Sequence, residues 1–170
     1  MKLPTKIYAL LIKIGRYVAP AVLLLIRLAW GWELIQSGHG HLTHLDQTTE
    51  FFQSLHIPMA HANAVISGTT ELVCGALLLV GFGARLAAIP LIFNFCVAYL
   101  TASHDKVVHI LDFANNGPSN FIDDTAFPFL VASLVIFAFG PGMLSIDGIL
   151  ARTVFRTSSI QAHSGYPIIP

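Results

Sequence analysis

Glu71-Leu72-Val73-Cys74-Gly75-Ala76-Leu77-Leu78-Leu79-Val80 places one carboxylate at the head of an otherwise apolar run. Asn63 to Gly81 makes a stretch of the length that a helix needs to cross a bilayer, about 20 residues. The first half of that stretch, Ser67-Gly68-Thr69-Thr70-Glu71, is too polar to face lipid, and Gly68 and Gly75 permit close approach of a neighbouring helix. An ionisable group at bilayer depth is costly, so it normally faces the protein interior and has a partner there. The run therefore predicts a membrane helix packed inside a bundle, with Glu71 turned inward.

Three further runs meet the same criterion. The spans are expected at 17–36, 63–81, 84–103 and 125–144. A turn around Gly81-Phe82-Gly83 makes the second and third an antiparallel helical hairpin. Lipid excludes open sheet edges, and the strand alternation of a barrel is absent, so the expected fold is an all-α, integral membrane four-helix bundle. Composition agrees, since 55% of the 170 residues are hydrophobic and only 11% charged, against about 25% charged in soluble domains. The formal net charge is zero and no basic stripe is present, so nucleic acid is not an expected partner.

Basic residues are unevenly placed. Lys2, Lys6, Lys13 and Arg16 precede the first span, Arg85 lies at the hairpin turn, and Arg152 and Arg156 follow the fourth span. The opposite loops hold only Lys106 among basic residues. The positive-inside rule then puts the N- and C-termini in the cytoplasm and the segments 37–62 and 104–124 outside. The N-terminal charge and apolar stretch mimic a signal peptide, yet no small-residue cleavage site follows, so an uncleaved first helix is expected. Residues Ile7 to Ile14 are either a short amphipathic surface helix or an extension of the first span. Pro90 and Pro128 either kink their helices or occupy a first turn. Residues 1–156 are expected to form a single transmembrane domain, and 157–170 a poorly ordered tail. Cys74 and Cys96 are expected to be packed core thiols, being unlike any paired-cysteine motif.

The midpoints of the first three spans carry Arg27, Glu71 and Asn94. At similar depth on three helices they are expected to converge, with an Arg27–Glu71 pair removing two charges from lipid and Asn94 filling leftover hydrogen-bond capacity. Such a set either locks helix packing or forms a polar pocket for a redox-active, quinone-like ligand. Glu33 and Gln36 extend this polar track outward or mark the membrane interface. Seven of the eight histidines lie at or beyond the outer span ends. Of these, His39, His41, His44, His104 and His109 make a candidate metal or haem set, since imidazole is the commonest metal ligand. No HExxH, GxSxG, Walker or dinucleotide motif accompanies them.

Three segments resemble the DoxX family of small four-helix membrane proteins. Arg27-Leu28-Ala29-Trp30-Gly31 with Gly38 is similar to that family's RxxxGxxxxxxG first helix. Thr70 to Gly81 followed by Arg85-Leu86-Ala87-Ala88 looks like its AELLGGLLLLLGLLTRLAA hairpin, with Cys74 and Ala84 in place of common Gly and Thr. Gly140-Pro141-Gly142-Met143-Leu144-Ser145-Ile146-Asp147 is similar to its GPGxxSxD close, although Met143 stands where a basic residue is frequent. The resemblance implies a multi-pass protein of a bacterial inner membrane. It also implies a subunit of a redox system that binds quinone or quinol, partnered by a soluble or membrane oxidoreductase. A non-enzymatic scaffold for such partners, and a homo-oligomer, are the accompanying alternatives.

Overall fold

The computed structural model describes residues 3–102 and 125–153. They form α1 (Leu3–Thr43), α2 (Leu45–Ser54), α3 (Ala60–Val80), α4 (Ala84–Ala102) and α5 (Ala126–Phe139), with a further helical stretch over 146–153 and no strand among the described residues. Helix is the outcome lipid imposes on apolar runs, because every backbone N–H then finds a carbonyl within its own segment. Three helices, α1, α3 and α4, are long and apolar enough to cross a membrane. The fourth apolar helix, α5, has 14 residues, about 21 Å at 1.5 Å per residue. The expected loop 104–124, with His104, His109 and Lys106, lies outside the described residues, as do Arg156 and the tail 157–170.

The first span differs most from expectation. Where 17–36 was expected, a single helix of 41 residues runs from Leu3 to Thr43. Residues 7–14 are its N-terminal extension, so the alternative of a separate surface helix is discarded. The pairing of α1 with α3 explains where this helix becomes a packed element. A β-carbon added at Gly31 would meet backbone atoms of Gly75 and Leu79, and one added at Gly38 would meet those of Gly68 and Leu72. Rising numbers on α1 meet falling numbers on α3, so the two helices are antiparallel and in backbone contact at glycines on both sides. Arg27, Gly31, Leu34 and Gly38 form the buried stripe of α1, and their four-three-four spacing is that of a helix–helix seam. Between residues 7 and 22 every α1 residue except Pro20 is exposed. Packing therefore begins only in the second half of the helix.

A very short turn joins α3 to α4. Gly81 ends α3 with φ +75° and donates to Leu77 O at 2.8 Å, and Phe82 donates to the same carbonyl at 3.1 Å. This left-handed close favours glycine. The core lies where α1, α3, α4 and α5 meet: Leu34, Cys74, Leu78, Ala87, Leu91, Phe95 and Ile136 are buried together, and Phe95 stacks on Phe129 with centroids 5.3 Å apart. Pro90 stands inside α4, while Pro128 occupies the first turn of α5, where its missing N–H costs nothing. Cys74 is buried as expected but Cys96 is exposed. It lies one residue beyond Phe95, off the buried stripe of α4.

Candidate functional site

Glu71 stands ten residues before Gly81, and Asn94 ten residues after Ala84. In an antiparallel hairpin closed at 81–83 those two positions are level. Asn94 Nδ2 donates to Glu71 Oε1 at 3.0 Å. From α1, Ser37 Oγ donates to Oε2 at 2.7 Å, and His41 Nε2 lies 3.6 Å from the same oxygen. Glu71 is 4% exposed, whereas the His41 side chain is 37% exposed. The result is a buried carboxylate held by two neutral donors, with an imidazole between it and the protein surface. Nothing in this set carries a permanent positive charge. A carboxylate so placed can accept further hydrogen bonds, since its two oxygens offer about four lone-pair sites.

Arg27 is not part of this set, and the expected Arg27–Glu71 pair is corrected. The guanidinium is 2% exposed and reaches four backbone carbonyls. Nε donates to Leu78 O at 2.9 Å, Nη2 to Leu79 O at 3.1 Å, and Nη1 to Pro141 O and Leu144 O at 2.8 and 3.0 Å. Leu78 and Leu79 lie seven and eight residues from Glu71, about 11 Å along the α3 axis. The depth estimate failed because it took the middle of 17–36 as the middle of the membrane-crossing part of α1. The glycine seam instead sets Arg27 opposite the last turn of α3 and sets Ser37 and His41 opposite Glu71.

At that last turn Arg27 answers carbonyls that have no intrahelical partner and puts a cation where the helix dipole favours one. The 140–148 segment completes the closure. Gly83 N and Ala84 N donate to Asp147 Oδ1 and Oδ2 at 2.8 and 3.0 Å, placing an anion at the start of α4. Asp147 N donates in turn to Gly81 O at 3.0 Å. Ser145 Oγ donates to Gly142 O at 2.6 Å and accepts from Gly148 N at 3.0 Å. A β-carbon at Gly81 would run into the Arg27 guanidinium and Ser145 Cβ. These residues form a clasp at one end of the bundle, two to three helical turns from the Glu71 node.

Residues 22–104 match the model of the DoxX family. The chain carries a DoxX domain. The apolar helices beside and within it suit a multi-pass arrangement in lipid. No curated protein and no solved structure matches the chain.

The remaining candidates are dispersed within and beyond the DoxX domain. Glu33, Gln36 and His39 are exposed on α1 and do not reach the Glu71 node. His44 Nδ1 lies 3.2 Å from Gly40 O and 3.1 Å from Thr43 Oγ1, so its contacts are local. Among the described residues no three His, Cys, Asp or Glu side chains gather as a metal site, and His104 and His109 lie outside them. Sequence reasoning missed Ser37 as a partner of Glu71 and considered His41 only as a metal ligand. Their signal was the four-residue spacing that puts both beside Gly38 on the α1 face towards α3. The clasp roles of Ser145 and Asp147 were also missed; their signal was a Ser-x-Asp pair directly after Gly-Pro-Gly.

Proposed function

We propose that this DoxX protein is a membrane subunit of a redox system in which Glu71 receives a proton from quinol, or delivers one to quinone. The observation that carries the reading is the buried Glu71 carboxylate, held by Ser37 and Asn94 and separated from the surface by His41 alone among the described titratable side chains. A quinol hydroxyl is a donor and needs an acceptor at membrane depth; Glu71 has lone pairs left for one. Bound quinol would supply two electrons, which pass to a partner oxidoreductase, and two protons, which leave one after the other through Glu71. Ser37 and Asn94 fix the carboxylate in place. His41 passes the proton between Oε2 and the aqueous side through its two ring nitrogens. Arg27 takes no part in this and serves the fold.

In this reading the chain crosses a bacterial inner membrane four times, with α5 completing the bundle. Lys13, Arg16, Arg85 and Arg152 set the termini and the α3–α4 turn in the cytoplasm, so His41 faces outward.

A second reading, a scaffold that anchors an oxidoreductase, is favoured by a separate observation. Glu71 lines neither the cleft around Arg85 and Asp147 nor the one around Trp30 and Phe127. One experiment separates the two readings. Purified protein and Glu71→Gln are extracted for quinone and titrated with a quinol analogue. The quinone reading expects binding in the wild type and its loss in Glu71→Gln, with the fold retained. No quinone in either protein leaves the scaffold, and equal binding in both removes Glu71 from the site.

A further inference from the structure

The clasp end of the bundle carries a cleft that the Glu71 node does not use. Its volume is about 400 Å³, and Gly83, Arg85, Leu86, Phe139, Pro141 and Asp147 line it. Of Arg27, Arg85 and Asp147, the charged side chains of the clasp and its cleft among the described residues, two are committed. Arg27 is occupied by four carbonyls, and Asp147 by the amides of Gly83 and Ala84. Arg85 is exposed and has no hydrogen-bond or ion-pair partner among the described residues. Its guanidinium lies over Gly140, where a β-carbon would come within 3.2 Å of Nε. The cleft therefore holds one uncompensated positive charge.

The rim is apolar. Leu86 is 74% exposed and Phe139 72% exposed, one on each of the two helices that meet here. A cation at the end of apolar helices, flanked by bare hydrocarbon-facing side chains, matches an amphiphile with an anionic head. We propose that this cleft binds an anionic phospholipid. Arg85 holds the phosphate as a charge-assisted donor, and the acyl chains lie over Leu86 and Phe139. A zwitterionic lipid fits less well, because the one carboxylate near its ammonium is already engaged. A soluble phosphate gains nothing from the apolar rim. The inference is independent of the quinone reading and of which membrane face the clasp occupies.

The test uses the full chain in neutral detergent, titrated separately with phosphatidylglycerol, phosphatidylcholine and inorganic phosphate. Bound lipid is counted by native mass spectrometry, and the thermal midpoint is followed in parallel. Phosphatidylglycerol is expected to bind and raise the midpoint, while the other two leave it unchanged. Arg85→Gln is expected to weaken phosphatidylglycerol about fivefold, the loss of one cation near an anionic surface. Leu86→Asn keeps the cation and interrupts the rim, so it weakens the same lipid. Arg16→Gln, on the unpacked part of α1, leaves binding as it was. Unaltered binding in either Arg85→Gln or Leu86→Asn overturns the site. So does an equal response to phosphatidylcholine, or a midpoint shift reproduced by inorganic phosphate.

Discussion

At the residue scale, the two buried charged side chains among the described residues, Arg27 and Glu71, have opposite duties. Glu71 is satisfied by side chains and has capacity to spare, whereas Arg27 is satisfied wholly by backbone. Removing Arg27 strands the carbonyls of Leu78, Leu79, Pro141 and Leu144 together. An unpaired buried polar group costs about 1–3 kcal/mol, so Arg27→Gln is expected to lower stability by about 3 kcal/mol or more. Arg27→Lys rescues it only in part, since one ammonium cannot reproduce three nitrogens in a planar fork. Ser37→Ala removes one donor from Glu71 and should cost about 1 kcal/mol. The separation of the two groups adds a sharper expectation. Sites farther apart than about 10 Å with no shared partner add to within about 0.5 kcal/mol. Chemical denaturation in mixed micelles of Arg27→Gln, Glu71→Gln and the double variant should therefore close with no larger coupling. A coupling of 2 kcal/mol or more would restore the direct pair.

At the element scale, the α1–α3 seam decides which residues share a depth. Gly38 is its tightest point, because the atoms a β-carbon would strike there are the Leu72 amide nitrogen and the Gly68 carbonyl oxygen. Neither can rotate away. Gly38→Ala should push the two helices apart and cost about 1–3 kcal/mol, in the range of core overpacking. The same helix provides its own controls, since a β-carbon at Gly15 or Gly40 meets nothing within 4 Å. Gly15→Ala and Gly40→Ala should be neutral or stabilising, by up to about 1 kcal/mol, because alanine restricts the unfolded chain and favours helix. Thermal midpoints of the three variants in one detergent make the comparison. A loss at Gly40 as large as that at Gly38 would mean that the close approach to α3 does not set the effect. The displacement of Ser37, the Glu71 partner beside this glycine, should follow only in Gly38→Ala.

At the scale of the whole molecule, the parts legible in the sequence were those that depend on one helix or one turn. Apolar length gave α3 and α4, and the glycines at 81 and 83 gave their hairpin, which brings Glu71 level with Asn94. What could not be read was the register between α1 and α3. That register comes from glycines meeting across the seam, a tertiary fact, and it moved Arg27 from the polar set to the clasp. It also leaves the first half of α1 with almost no protein to pack against. Leu11 is 59% exposed there, while Leu34 is 1% exposed in the core. Stability should follow this division rather than hydrophobicity. Leu34→Ala opens a cavity between α1 and α3 and should cost about 2 kcal/mol or more, whereas Leu11→Ala removes the same atoms from a surface that detergent or lipid covers. Unfolding of both variants in the same mixed micelles would show a lowered transition for Leu34→Ala and an unmoved one for Leu11→Ala. If Leu11→Ala lost as much, the N-terminal half of α1 would have a protein partner in solution, and a second copy of the chain would be the first to look for by light scattering.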